Sequence, residues 1–298
     1  MNIKGKKILV TGGAGFLGSH VCEEIARRGG TATPLSSKDG DLMSGANVRE
    51  LACRCKTDAV VHCAALGGGI GANRERPGDF AAINLGMGLN VINHCAHSKI
   101  KLVVIGTTCS YPENCAVPFR ESDLFNGYPE PTNAPYGIAK RTIGALAEAY
   151  HRQYGLDVAY VIPANLYGPR DQSDHVIPDM IRKFSEAASS GADATLWGNG
   201  SPTRDFLFVE DAARGVVDAL ERDVGPEPIN LGTGVEITIA NLANHVADAV
   251  GFKGVIRWDA SKPNGQMRRC LDTARAKARL GWQATTSLSE GLRRTVAS

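Results

Sequence analysis

No stretch of this sequence approaches the roughly 18 consecutive apolar residues that cross a bilayer, so a membrane-spanning helix is not expected. An excess of one charge is also missing: 33 basic against 31 acidic residues leave a formal net charge of +2. That balance gives no reason to expect nucleic acid or a membrane surface as a partner. The eight cysteines form no paired CxxC set of the zinc-site kind, Cys53-Arg54-Cys55 is a lone CxC, and no metal site is expected. Most of them read as small apolar residues or surface thiols of a reducing compartment. There is no internal repeat and no low-complexity segment. A G-x-x-x-x-G-K-[ST] loop is absent, which removes the Walker-type nucleotide enzymes. The start, Lys4-Gly5-Lys6-Lys7 before Ile8-Leu9-Val10, imitates a signal peptide only until the apolar run breaks into Gly12, Gly13, Gly15 and Gly18. A soluble, cytoplasmic protein is the expectation.

What is present is an alternation of short apolar runs with helical patterns, the mark of parallel βαβ units. Lys7–Thr11, Thr31–Leu35, Ala59–Ala65, Leu102–Gly106 and Val158–Ile162 read as strands; Leu17–Arg28, Ile83–His97 and Ala139–Tyr154 read as helices. Right-handed crossovers put such strands in one sheet with helices on both faces. Beyond about Leu166 prolines and glycines punctuate shorter elements. The expected architecture is α/β: a doubly wound parallel sheet of the Rossmann type over residues 1–165, and a smaller C-terminal substrate-binding α/β domain over 166–298. Residues 204–222 are expected to return to the sheet domain.

Thr11-Gly12-Gly13-Ala14-Gly15-Phe16-Leu17-Gly18 stands between a strand and a helix. Glycines there let the backbone approach a pyrophosphate while the helix N-terminus offers N–H groups to the anion, so a dinucleotide is the expected ligand. A carboxylate at the end of the second strand selects NAD, whereas a cation there accepts a 2′-phosphate. The sequence reads Pro34-Leu35-Ser36-Ser37-Lys38, with no acid before Asp39. Ser36 and Lys38 therefore favour NADP(H), although Lys38 also reads as a solvated loop charge. Asp41 and Leu42 would lie beneath the adenine, and Ala64, near the end of the third strand, would line the same site.

Tyr136 and Lys140 are spaced i,i+4 at the start of a helix and share one face. The lysine is expected to lower the phenol from about 10 toward the working pH. Tyr136 can then exchange a proton with a substrate oxygen as hydride moves at the attached carbon. Thr107, just past a strand end, can donate a second hydrogen bond to that oxygen. The glycine loop, the strand-end threonine and Y-x-x-x-K, in this order, resemble the extended short-chain dehydrogenase/reductase family. A helix-surface Tyr/Lys pair is the bland alternative.

Further strings narrow the resemblance to the GDP-L-fucose synthase family: Pro131–Tyr136, Asn165–Pro169, His175–Pro178, Trp197–Pro202 with Arg204–Phe206, Asn230–Gly234, Asp259–Pro263, and Cys109 with His175. The likeness runs from about Lys7 to the C-terminal helix. It implies an NADPH-dependent conversion of GDP-4-keto-6-deoxy-D-mannose to GDP-L-fucose, by epimerisation at C3 and C5 and then reduction at C4. It implies that Cys109 removes a proton, that His175, which also borders the cofactor, returns one, and that Tyr136 and Thr107 hold the enolate oxygen. Cys109 taken alone reads as a packing residue. By the same resemblance Asn165, Lys183, Arg204 and Arg269 surround the diphosphate and Trp197 lies near the base or sugar. The family often has arginine where Lys183 stands and lysine where Arg269 stands. Asp171–Asp174 is also shorter here.

The resemblance implies a homodimer packed through the helices at Ile83–His97 and Ala139–Tyr154. Gly137, Gly144 and Ala145 would permit close helix approach, or equally packing against the sheet. The loop Gly67–Asn73 would line the sugar pocket or be a plain turn. The competing activities are a related GDP-sugar 4-ketoreductase or GDP-L-colitose-synthase-like enzyme, and a non-catalytic dinucleotide-binding regulator, against which the Tyr/Lys pair weighs.

Overall fold

The computed structural model describes residues 1–262 and 264–298; Pro263, the last residue of the Asp259–Pro263 string, lies outside the described residues. The first half reads β1 (Lys7–Thr11), α1 (Phe16–Arg27), β2 (Thr31–Leu35), α2 (Gly45–Cys55), β3 (Ala59–His62), α3 (Ile70–Glu75), α4 (Pro77–Ser98), β4 (Lys101–Ile105), α5 (Ala134–Tyr154) and β5 (Val158–Pro163). The second half reads β6 (Asn165–Tyr167), α6 (Val176–Ser190), β7 (Ala194–Trp197), β8 (Thr203–Arg204), β9 (Phe206–Phe208), α7 (Val209–Glu221), β10 (Pro228–Leu231), β11 (Ile237–Thr238), α8 (Ile239–Val250), β12 (Ile256–Asp259), β13 (Arg268–Arg269), α9 (Ala274–Leu280) and α10 (Leu288–Val296).

The large sheet has six parallel strands in the order β10-β5-β4-β3-β1-β2. β3, β4 and β5 are buried along their whole length, which is why they read as unbroken apolar runs. The chain goes from β1 outward to β2, then returns to the other side of β1 as β3. Between β1 and β3 the winding reverses, and the crevice outside their carboxyl ends is where such sheets bind ligands. α4 begins at Pro77, six residues before the expected start. Proline at the first helical position costs nothing, because its missing N–H has no intrahelical partner there anyway.

Two apolar clusters hold the molecule. One joins the large sheet to its helices and includes Val216, Val217 and Leu220 of α7, Ile229 of β10, and Trp282. The other lies among α6, β7, α8 and α10, where the rings of Phe184 and Phe252 stack at 5.1 Å. β10 lies beyond the 204–222 stretch expected to return, yet it forms an edge of the large sheet. No helix among the described residues is long and apolar enough to cross a membrane.

Two of the small residues noted for helix approach face inward. A Cβ at Gly144 would strike the Tyr160 ring, and one at Gly137 would collide with the Cys109 carbonyl. Gly137 thus lets the first turn of α5 lie against the loop after β4. Gly137→Ala is expected to cost about 1–3 kcal/mol by overpacking and to lower turnover more than stability accounts for, read from denaturant melts beside NADPH oxidation.

Candidate active site

The loop between β1 and α1 is shaped by close approaches. Gly12 has φ +68°, and a Cβ on it would come within 2.8 Å of the Ala64 backbone. A Cβ on Gly13 would come within 2.6 Å of Pro34 in β2, and one on Gly18 would collide with the Gly12 carbonyl. Gly15 is the N-cap of α1 and has no side chain to satisfy the first-turn N–H groups, which Phe16 and Leu17 open. The loop is therefore a backbone cradle at a helix N-terminus, and it fits a pyrophosphate.

Beneath it lies a contact the sequence reading missed. The Ala64 N–H donates to the Thr11 hydroxyl (3.3 Å), and that hydroxyl meets Nδ1 of His62 at 2.8 Å. Burial, with the Lys140 charge adding, pushes His62 down to about 3. A neutral ring can take the hydroxyl hydrogen and lock the ends of β1 and β3 together. A histidine closing an apolar strand was the available signal.

After β2, the Ser36 N–H and hydroxyl both donate to Asp39 at 2.7 Å, and the Lys38 N–H donates to the Ser36 oxygen. These bonds to Ser36 hold the Asp39 carboxyl below its ordinary range. The carboxylate is thus engaged inside its own turn, and Lys38 is exposed at the turn's edge. Asp41 accepts from the Met43 N–H, and the Leu42 carbonyl accepts from Asn90 of α4, at 2.8 and 2.9 Å. If Lys38 meets a 2′-phosphate, Lys38→Ala should raise the KM for NADPH about tenfold and leave that for NADH unchanged, since one charge-assisted bond is lost. Equal effects on both cofactors would assign Lys38 to the solvent.

Past β4, Thr107 is extended and its hydroxyl accepts from the Cys109 N–H at 3.2 Å. The turn Thr108–Ser110 packs on α5, with Ser110 donating to the Gly137 carbonyl at 2.9 Å. Tyr136 stands one residue before Gly137, edge-on to the ring of Phe80 at 6.2 Å. The expected lowering of its phenol by Lys140 is not what the environment produces. Burial pushes the phenol up and negative charge at Cys109 adds to this, while a hydrogen bond with Thr107 opposes both. Lys140 is itself buried by the end of β3, where desolvation lowers it to about 8 and only Cys63 acts in the other direction.

β13 runs beside β8 in a register that pairs Arg269 with Arg204. Arg269 Nη1 reaches the Cys109 sulfur at 3.5 Å, and its other edge rests on the Gln266 side-chain oxygen. Arg204 donates to the Thr203 carbonyl at 2.7 Å. Burial, then repulsion from Arg269, brings Arg204 down to about 10, against the pull of Cys109 and Glu130. The acceptors of their hydrogen bonds to oxygen, the Thr203 carbonyl and the Gln266 amide, are uncharged. Glu130, held by Thr132 and Asn133, faces both arginines and escaped the sequence reading.

The remaining substrate candidates sit farther out. Asn165 Nδ2 donates to the Asp205 carbonyl at 3.0 Å, which joins β6 to β9. Lys183 is paired with Asp179 at 2.8 Å and lies over the ring of Trp197 at 5.8 Å, with Lys262 also over that ring at 5.6 Å. Trp197 is 64% exposed. His175 is exposed at the N-cap of α6, its N–H donating to Ser173. Its neighbour Asp174 accepts from the Gly69 N–H at 3.1 Å, so the 171–175 and 67–73 loops meet. Cys109 meets Arg269 through its sulfur and Thr107 through its N–H, and strand register sets Arg204 beside Arg269; His175 is tied in through the 67–73 and 171–175 loop pair.

Residues 8–232 match the NAD dependent epimerase/dehydratase family. The chain is 39% identical to GDP-L-fucose synthase 1 of Arabidopsis thaliana over 99% of its own length and 93% of that protein. It is 39% identical to GDP-L-fucose synthase of Escherichia coli (strain K12), over 97% and 95%. Among solved structures, a GDP-6-OMe-4-keto-L-xylo-heptose reductase from C. jejuni superposes with a TM-score of 0.92 at 26% identity, covering 100% of this chain and 98% of that one. A GDP-L-fucose synthetase from Naegleria fowleri bound to NADP gives 0.88 at 28% identity, covering 99% and 94%. The chain belongs to the NAD dependent epimerase/dehydratase family and is an enzyme of the extended short-chain dehydrogenase/reductase type.

Proposed function

We propose that this enzyme converts GDP-4-keto-6-deoxy-D-mannose to GDP-L-fucose with NADPH, inverting C3 and C5 and then reducing C4. The observation that carries the reading is the Cys109 sulfur set against Arg269, on the loop that packs on the first turn of α5 beside Tyr136. Gly12, Gly15, Gly18, Ser36, Lys38 and Lys140 would hold NADPH, which would supply hydride to the C4 carbon.

A C4 ketone acidifies the protons on its two neighbouring carbons. Cys109 takes such a proton, with the Arg269 guanidinium 3.5 Å from its sulfur. His175 returns a proton from the opposite face. Tyr136 and Thr107 hold the oxygen while it carries the enolate charge. In the reduction the same oxygen needs a proton. A phenol kept protonated by burial has one to give. Arg204 and Arg269, side by side with Glu130 facing them, offer fork donors to a diphosphate, and Trp197 offers a face to the base or sugar.

This reading divides the chain into a cofactor-binding part, 1–165 rejoined by 204–222 and by β10, and a substrate-binding part over the rest of 166–298. A homodimer through the outer faces of α4 and α5, where Leu89 and Tyr154 are exposed, and a cytoplasmic setting complete it.

A GDP-sugar C4 reductase without epimerisation is the second reading, favoured by the exposed position of His175 and by the C. jejuni reductase superposition. Product configuration separates the two. Incubation with GDP-4-keto-6-deoxy-D-mannose and NADPH should give GDP-L-fucose by NMR. A product that keeps the starting configuration at C3 and C5 would leave only the reductase.

A further inference from the structure

We infer that Gln266 is a positioning residue for Cys109: its amide oxygen takes one whole edge of the Arg269 guanidinium, aims the remaining nitrogen at the sulfur, and adds no charge of its own to the arginine. Nε and Nη2 of Arg269 donate to that one oxygen at 3.1 and 2.9 Å, and Nη1 is left to face Cys109 at 3.5 Å. A carboxylate could accept the same fork, but it would neutralise the cation beside the thiol.

The orientation of the amide is over-determined. Its nitrogen donates to the Glu113 carbonyl at 2.8 Å, so turning it over would set an NH2 group against the guanidinium and an oxygen against a carbonyl. Glu113 lies four residues beyond Cys109 on the same loop. The segment before β13 is thus tied to the Cys109 loop at two points, one polar and one through Arg269. Around the sulfur, the charged and titratable groups are Arg269, Arg204 and Tyr136, with Glu130 facing the two arginines. Of these, Arg269 alone is oriented by a neutral bidentate acceptor.

The inference deepens the proposed role of Cys109 and rests on it for its consequence in turnover, but its geometry can be tested without substrate. Alkylation of Cys109 by iodoacetamide in the free enzyme, followed by mass spectrometry of its peptide, reports thiolate reactivity against pH. Gln266→Glu keeps the fork and places a negative charge on Arg269; its alkylation profile should move up by about one pH unit. Gln266→Leu loses the fork and the Glu113 bond but adds no charge, and should move the profile by much less than the Glu variant. An unchanged profile in Gln266→Glu, or an equal shift in both variants, would overturn the inference. In turnover, Gln266→Glu should lower proton exchange at C3 and C5 about tenfold, while kcat for oxidation of GDP-L-fucose by NADP+ stays near its parent value and its KM rises. A parent enzyme that shows no exchange at C3 or C5, with the alkylation shifts as expected, would instead remove the role given to Cys109 and leave the positioning intact.

Discussion

Tyr136→Phe should reduce NADPH oxidation about a thousandfold, near 4 kcal/mol of transition-state stabilisation, with the dissociation constant for NADPH unchanged. The phenol is the group with a proton to deliver to the C4 oxygen, because burial keeps it neutral. Phenylalanine preserves the ring and its edge contact with Phe80, so the loss isolates the hydroxyl. Proton exchange beside the ketone should fall by less, since Thr107 still holds the oxygen. Stopped-flow absorbance of NADPH and fluorescence titration of its binding give the two numbers. Comparable activity in the variant would hand the proton to another group.

Cys109→Ser should have the opposite pattern. Exchange at C3 and C5 is expected to drop by about a hundredfold or more, because an alcohol is a far weaker acid than a thiol and does not supply an anionic base. Oxidation of GDP-L-fucose by NADP+, which needs only the C4 step, should retain most of its kcat. Serine is close to isosteric, and the Arg269 contact survives as a hydrogen bond to oxygen, so folding is not expected to suffer. A parallel loss of both half-reactions and of cofactor affinity would mean that Cys109 holds the loop together instead.

The most legible parts of the fold are strands with long buried runs. β1, β3, β4 and β5 carry apolar runs, and the glycines of the first loop mark a turn that no other residue fits. α2 went unread because its apolar residues are few and its start, Ser44-Gly45, looks like a loop until the Ser44 side chain is seen accepting from Asn47. The start of α4 lies earlier than expected for a related reason, since Pro77 is a breaker inside a helix and a good residue at its first position.

At the site, what sequence strings carry is local: Thr107 to Cys109, Tyr136 to Lys140. The rest comes from strand register. Arg204 and Arg269 face each other through two-residue strands too short for any periodicity, and Arg269 meets Cys109 across 160 positions of chain. Gln266 had no motif to announce it. The expected effect of Lys140 on Tyr136 failed because i,i+4 spacing gives proximity on a helix face but says nothing of desolvation, which outweighs it here. His175 could be placed in a motif, but its exposure at the α6 N-cap could not be read from it.

In the proposed reaction one site opens a C–H bond beside the ketone before any hydride is transferred. Holding the enzyme with GDP-4-keto-6-deoxy-D-mannose in heavy water without NADPH, and following the sugar by NMR, tests this directly. Deuterium should enter C3 and C5 in the parent enzyme and fail to enter in Cys109→Ser. Protons retained at both carbons by an enzyme that still oxidises NADPH on this substrate would contradict the claim.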